Sequence, residues 1–335
     1  MKRRVLLTAV WLGIVVYGLS LGTPLALAAT SNNTSGQALE IAPPLLTLKS
    51  DPGRTVKATL QLRDITKSPL VVNNEINDFV ANGEDGTPKI LLGSSDANNP
   101  FSLKNWINPL PSFTLNPGKI ATLDLIIDVP ANASPGGHYG IIRFTGTPPG
   151  LNGSGVALSA SLGALVLLTV NGNLKHDLSV ASFTVDHNGK KGSFFESPPL
   201  NFTLKLKNNG NVQEQPTGHI VVSDMFGKAV AGVNVNLEQR NVLPASTRQF
   251  TAPLDKNNLG NKRLFGRYHA VITVTYAGGK KLTASLTFWV IPYKLIIGLV
   301  IGVIIAFFVL RYGIKRYNRY IVRKVQAANS RNKRR

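Results

Sequence analysis

Leu200-Asn201-Phe202-Thr203-Leu204-Lys205-Leu206 alternates apolar and polar side chains with a period of two. In an extended chain that spacing puts Leu200, Phe202, Leu204 and Leu206 on one face and the polar residues on the other, as in a half-buried strand. A helix would scatter the same four apolar residues around its axis. Comparable β-type runs lie on both sides: Val56–Leu62, Ala121–Val129, Tyr139–Phe144, Ala164–Val170, His269–Tyr276 and Leu282–Ile291. Between them stand Asp51-Pro-Gly, Asn82-Gly, Asp85-Gly, Asn116-Pro-Gly, Asn152-Gly, Asn171-Gly, Asn188-Gly and Asn209-Gly. Each offers a residue that tolerates positive φ, or a proline pre-set for a turn. Short strands with turns at this spacing predict antiparallel sandwiches.

The strand pattern ends abruptly. From Leu295 to Leu310 the chain reads LIIGLVIGVIIAFFVL, between Lys294 and Arg311. At ~1.5 Å per residue sixteen helical residues cover about 24 Å, against roughly 30 Å of hydrocarbon. Interfacial flanks close the gap: Trp289, Tyr293, Lys294, Arg311 and Tyr312 are the expected membrane-interface anchors, the cations snorkelling along their own stems. A transmembrane helix is therefore expected over 292–312, followed by a basic tail over 313–335. From Arg311 onward there are ten Lys or Arg and no Asp or Glu. Basic flanks stay on the cytoplasmic side, so the C-terminus is expected inside. That tail also has the composition of a short amphipathic helix lying on an anionic inner leaflet.

The other end agrees. MKRR is a basic leader, Val5–Leu21 is apolar, and Ala26-Leu27-Ala28 is a small-x-small cleavage pattern. Residues 1–29 read as a signal peptide, with an uncleaved anchor as the alternative, and 30–37 (TSNNTSGQ) as a flexible leader. Either way the region from about 30 to 290 lies outside. The formal charge of +20 then divides by compartment. Thirteen of the 37 basic residues lie in the first four and last twenty-five positions, which leaves 24 against 17 acidic ones outside. The high net charge is mostly a topology signal, and no nucleic-acid partner is inferred.

About 260 exterior residues suggest two domains, set here at 38–172 and 173–291. The chain has no cysteine, which excludes disulfides, thiolate metal sites and thiol nucleophiles, so each domain must rest on an apolar core. The histidines at 138, 176, 187, 219 and 269 form no HExxH and no i, i+4 pair. No phosphate-binding glycine loop occurs, and Gly153-Ser-Gly reads as a hairpin tip in place of a nucleophile elbow. Asn82-Gly-Glu-Asp-Gly-Thr is rich in oxygen ligands but lacks calcium-loop spacing, so it reads as a solvated turn. No cofactor and no metal are expected, and no catalytic residue is assigned.

Two stretches are candidates for binding. Ser134-Pro-Gly-Gly-His-Tyr-Gly140 leads into a strand, and Gly136 and Gly137 let the backbone approach another surface beside His138 and Tyr139; a tight connection before an Ig-type strand, with Tyr139 in a corner position, is the favoured account. In Trp106-Ile-Asn-Pro-Leu-Pro-Ser-Phe113 the prolines prevent regular pairing, which leaves Trp106 and Phe113 as ligand anchors or core plugs.

The order of parts, with Ser50-Asp-Pro-Gly, Val129-Pro-Ala-Asn-Ala-Ser-Pro-Gly-Gly-His-Tyr-Gly140, Lys207-Asn-Asn-Gly-Asn-Val212, Gly218–Lys228, Val242–Arg248, Gly266-Arg-Tyr-His-Ala270 and Phe288-Trp-Val-Ile-Pro292, resembles the WxL-interacting-protein family of bacterial cell-surface proteins. The resemblance implies a peptidoglycan-binding domain followed by a host-binding domain at a bacterial surface, and it carries no catalytic residue. The first domain is similar to PapD-like pilus chaperones at the level of fold alone.

The expectation is an all-β protein: two tandem Ig-like antiparallel β-sandwiches, one transmembrane α-helix and a basic tail. It is read as a non-enzymatic, single-pass membrane protein that binds cell-wall polymer or a partner surface protein. The alternatives are a chaperone-like assembly factor that adds a strand to a partner's sheet, and a wall-active hydrolase.

Overall fold

The computed structural model of the chain describes residues 39–93, 99–147 and 160–332; side chains are described for these except 160 and 324–332. The expected signal peptide, flexible leader and Gly153-Ser-Gly tip lie outside the described residues, as does the end of the tail.

In chain order the strands are β1 (Leu39–Ala42), β2 (Leu45–Ser50), β3 (Thr55–Asp64), β4 (Leu70–Asn82), β5 (Thr87–Ile90), β6 (Phe113–Leu115), β7 (Ile120–Asp128), β8 (Gly136–Thr147) and β9 (Ala160–Val170). They build the first sandwich. One sheet has the order β1-β3-β7; the other has β2-β9-β8-β4-β5, with β6 also on β4. The chain switches sheets after β1, across a cis Ala42–Pro43 bond, and β2 then runs parallel to β9. That parallel pair departs from the purely antiparallel expectation: β2 runs alongside β9 in the same direction. Inward-facing alternation holds: Leu60, Leu62, Leu125 and Ile127 from one sheet meet Ile142, Phe144, Val166 and Leu168 from the other, all buried.

The second sandwich comprises β10 (Leu178–His187), β11 (Lys190–Lys191), β12 (Phe194–Phe195), β13 (Leu200–Asn208), β14 (Thr217–Asp224), β15 (Ala229–Val235), β16 (Thr247–Leu254), β17 (Gly266–Tyr276) and β18 (Lys280–Val290), with a one-turn helix α1 (Lys256–Leu259). The sheets are β11-β10-β13-β16 and β12-β18-β17-β14-β15. The opening stretch is β13, and its four apolar residues are buried as expected, with Phe202 stacked against Phe183 and edge-on to Phe288. Asn188 and Gly189 both have positive φ, which shapes the tight β10–β11 hairpin.

Two of the residues after β18 lead to α2 (Tyr293–Asn332), a helix long and apolar enough to cross a membrane. It runs 40 residues, about 60 Å at ~1.5 Å each. The basic tail over 313–332 is thus a continuation of the same helix, where the sequence reading had it begin separately.

Candidate functional site

A sheet recruits a foreign strand only where an edge presents unpaired N–H and C=O groups. Several edges here are blocked. β5 carries Pro88; β11 and β12 are two residues long and cover only the ends of β10 and β18. On β15, Lys262 Nζ donates to Val230 O at 2.8 Å. β16 carries Pro253, and its Gln249 N–H donates to Glu84 O of the first sandwich at 2.6 Å. The end of β7 is met by Asn108, whose N–H donates to Ile126 O at 2.9 Å.

The first half of β9 is open. β2 pairs with β9 from Leu165 to Val170 only, so among the described residues 160–164 have β8 on one side and no strand on the other. Leu165 N–H points away from β8, donating to Pro44 O at 2.9 Å. Strand alternation gives Ser161 and Gly163 the same direction. Among the described residues nothing pairs with their outward N–H and C=O groups. Ala164 on this strand is buried in the core and Ser161 is exposed, so an added strand would find a ladder below and an apolar floor to one side. Sequence reading missed this edge; its signal is the run Ala164–Val170 continuing upstream through Ala160-Ser-Leu-Gly, with prolines at 43 and 44 cutting short the covering strand.

The predicted residues occupy other places. Gly136–Tyr139 was expected as a connection leading into a strand; it is the first part of β8 and wholly buried. The glycines make room: a Cβ on Gly137 would lie 2.5 Å from Tyr139 Cζ, and one on Gly136 2.5 Å from Asn211 O. His138 is buried, its ring nitrogens 3.0 Å from the Ser102 and Ser134 carbonyls, and its ring 4.2 Å from that of Trp106. Trp106 and Phe113 are partly buried against the first core. The six residues therefore do not form one surface.

Three of them, Gly136, Gly137 and Tyr139, instead border the joint between the sandwiches. Tyr139 OH donates to Gln213 Oε1 at 3.0 Å, and Gln213 Nε2 donates to Thr169 Oγ1 at 3.0 Å. Burial raises the Tyr139 phenol far above its ordinary range. Gly137 N–H donates to Asn211 O at 2.7 Å. The Asn211 side chain donates to Pro135 O and Asn173 O, and accepts from Lys175 N–H at 2.7 Å. Leu243 packs into a small cluster with Phe79, Tyr139, Ile141 and Leu167. Glu84 pairs with Lys205 across the same joint. In the connecting segment His176 Nδ1 lies 2.6 Å from Glu214 Oε1; burial raises the Glu214 carboxyl, and the His176 contact opposes that rise.

Beside the joint, the β4–β5 turn and the β15–β16 edges enclose an open cleft of about 810 Å³. Asn82, Asn234, Asn236, Glu238 and Arg240 line it, without an exposed aromatic ring. Asp85, of the oxygen-rich turn, accepts hydrogen bonds from Thr87 N–H and Oγ1, which hold its carboxyl below the ordinary value. Among the described residues no three His, Asp or Glu side chains gather as metal ligands.

Of the membrane-interface set, Trp289 is on β18, and Tyr293, Lys294, Arg311 and Tyr312 are on α2. Lys294 is paired with Glu196.

No family model matches the chain, and no curated protein does. Among solved structures it is similar to the YadV chaperone (13% identity, TM-score 0.36, covering 75% of this chain and 100% of that one). It is also similar to the class 5 fimbriae chaperone CfaA (13%, 0.40, 74% and 98%). A third is a Salmonella enterica structure of SafA pilin with the SafB chaperone (12%, 0.32, 76% and 96%).

Proposed function

We propose that the chain is a non-enzymatic, membrane-tethered surface protein whose first sandwich captures an extended segment of a partner surface protein by strand addition. The observation that carries this is the uncovered half of β9, where Ser161 and Gly163 present outward backbone groups beside a buried core face. Main-chain hydrogen bonds would supply affinity, and alternate side chains of the guest would supply specificity. α2 holds the edge near one membrane, with the basic tail cytoplasmic, which raises its effective concentration toward partners in the same layer.

The amide- and carboxylate-lined cleft beside the joint favours a second reading, in which wall polymer binds there through hydroxyl contacts.

Ser161→Pro separates the two. Its N–H points outward, so proline fits the fold at an edge position yet blocks a guest strand. Photo-crosslinkers placed at the neighbouring, partly exposed position 162 on intact cells should trap a protein, and adding Ser161→Pro should abolish that capture while leaving sedimentation with wall sacculi unchanged. Capture of wall polymer with no protein, unaffected by Ser161→Pro, would overturn strand addition in favour of the cleft.

A further inference from the structure

The end of the second sandwich from which α2 departs is built by three connections: residues 188–199, 225–228 and 255–265. Strand register sets them at one level. Gly266 lies opposite Val290, and Tyr268 lies opposite both Phe288 and Asp224. Each connection displays one phenylalanine: Phe194 is 71%, Phe226 87% and Phe265 65% exposed. Outside α2 no other described phenylalanine is so exposed.

The connections that carry these rings are fixed in place. Phe194 stacks on Trp289, with centroids 6.1 Å apart and planes within 10°. Asp224 Oδ1 accepts from the N–H groups of Phe226 and Lys228, fixing that turn. Phe265 N–H donates to the Tyr268 hydroxyl at 2.9 Å. The same connections carry Lys262 and Arg263, with Arg267 next to them at the start of β17. The carboxylates nearby are engaged: Glu196 with Lys294, Asp224 with backbone amides, and Asp255 as the N-cap of α1.

What covers this face follows from where the chain goes next. Trp289 N–H donates to Ser193 O and Ile291 N–H to Phe195 O, so the strand that feeds α2 is bonded to the segment bearing Phe194. Tyr293 opens α2, and Ile296 N–H already donates to Pro292 O. The uncharged run starts at Leu295, only a few ångströms along the helix from the sandwich. Exposed aromatic rings among Lys and Arg are the composition that settles between headgroups and acyl chains.

We propose that this end of the second sandwich is a lipid-docking surface. Phe194, Phe226 and Phe265 insert at the headgroup level of the bilayer that α2 spans, and Lys262, Arg263 and Arg267 face its phosphates. The ectodomain then stands in one fixed pose. This rests on reading α2 as a membrane span, and the test separates the two ideas.

The chain has no cysteine, so Phe226→Cys, Leu237→Cys and Val303→Cys each give one labelling position for a polarity-sensitive dye. Leu237 is also exposed but lies at the opposite end of the sandwich. The full chain is reconstituted in phosphatidylcholine–phosphatidylglycerol vesicles that carry nitroxide lipids at headgroup or deep acyl positions. Dye at 303 should be quenched by the deep nitroxide. Dye at 226 should be blue-shifted and quenched by the headgroup nitroxide several-fold more than dye at 237. Deep quenching at 303 with water-like emission at 226 overturns the docking surface and leaves the span standing. Absence of quenching at 303 refutes the span and the docking surface together.

Discussion

Gly137 gives the sharpest prediction. Its backbone φ is not in the left-handed region, so replacement by alanine imposes no conformational strain of its own; the whole cost is steric. The new Cβ would fall far inside van der Waals contact with the Tyr139 oxygen, 2.5 Å from Cζ and 2.9 Å from Gln213 Oε1. Tyr139 must tilt. Its hydrogen bond to Gln213 weakens, worth ~1 kcal/mol, and its ring leaves Phe79 and Phe101, pairs worth ~0.5–1.5 kcal/mol each. Together with ordinary overpacking of ~1–3 kcal/mol, the expected loss for Gly137→Ala is about 3–7 kcal/mol. For domains of this size that lowers Tm by about 10–30 °C. Gly118→Ala is the control. Gly118 has φ +70 with open space around it, so it isolates backbone strain at ~1–2 kcal/mol. Thermal unfolding of the full chain in detergent, followed by near-UV circular dichroism, reads both. A Gly137→Ala protein that melts with the wild type, or a Gly118→Ala protein that loses as much, refutes the packing account of the joint.

Other consequences are testable in the same material. Asn211→Ala removes three side-chain hydrogen bonds at the joint and should cost about 2–3 kcal/mol at ~1 kcal/mol each, seen as a lower urea midpoint; an unchanged midpoint removes Asn211 from the joint's energetics. Burial raises the Glu214 pKa above its ordinary value of 4.5, so the folded state keeps this proton after the unfolded chain has lost it. Its contribution is therefore complete below that value and declines as pH rises through the raised pKa, and Glu214→Gln should flatten that decline in Tm against pH; parallel curves would show that Glu214 is not its source. At Gly86, where φ is +71, an added Cβ would lie 2.6 Å from Arg248 Cζ, so Gly86→Ala should loosen the contact of the β4–β5 turn with the second sandwich. Proteolysis near Asp85 should speed up, whereas an unchanged cleavage rate would mean that the turn docks without Arg248.

The strands were legible because their cores are built by alternation. Leu200–Leu206 needs nothing beyond period two to declare its buried face, and the Asn-Gly and Pro-Gly breaks mark turns by backbone conformation alone. The helix was legible for the simpler reason that sixteen uncharged residues have few other uses. What the sequence concealed is relational. Gly136–Tyr139 looked like a connection because glycines usually mark one, yet here they admit a tyrosine ring and a neighbouring domain's carbonyl into a strand. Asn211, Gln213 and Glu214 belong to no motif that the sequence singles out by chemistry; they became joint residues only through partners in the segments 135–139 and 169–176. The open half of β9 was hidden for the same reason: an edge is defined by the strand that is not beside it.

The short passage from β18 into α2 also sets a measure. With about 3.3 Å per residue, β18 spans roughly 36 Å, and β9 carries Ser161 about 30 Å past the joint. Direct hydrogen bonds close the joint itself, so on the proposed anchoring the β9 edge stands no more than about 70 Å above the bilayer. A tether with a long linker would sweep a volume; anchored as proposed, this chain would work as a caliper with one opening. Partners that present their segment within that layer would be met by lateral diffusion, and segments held farther out would not.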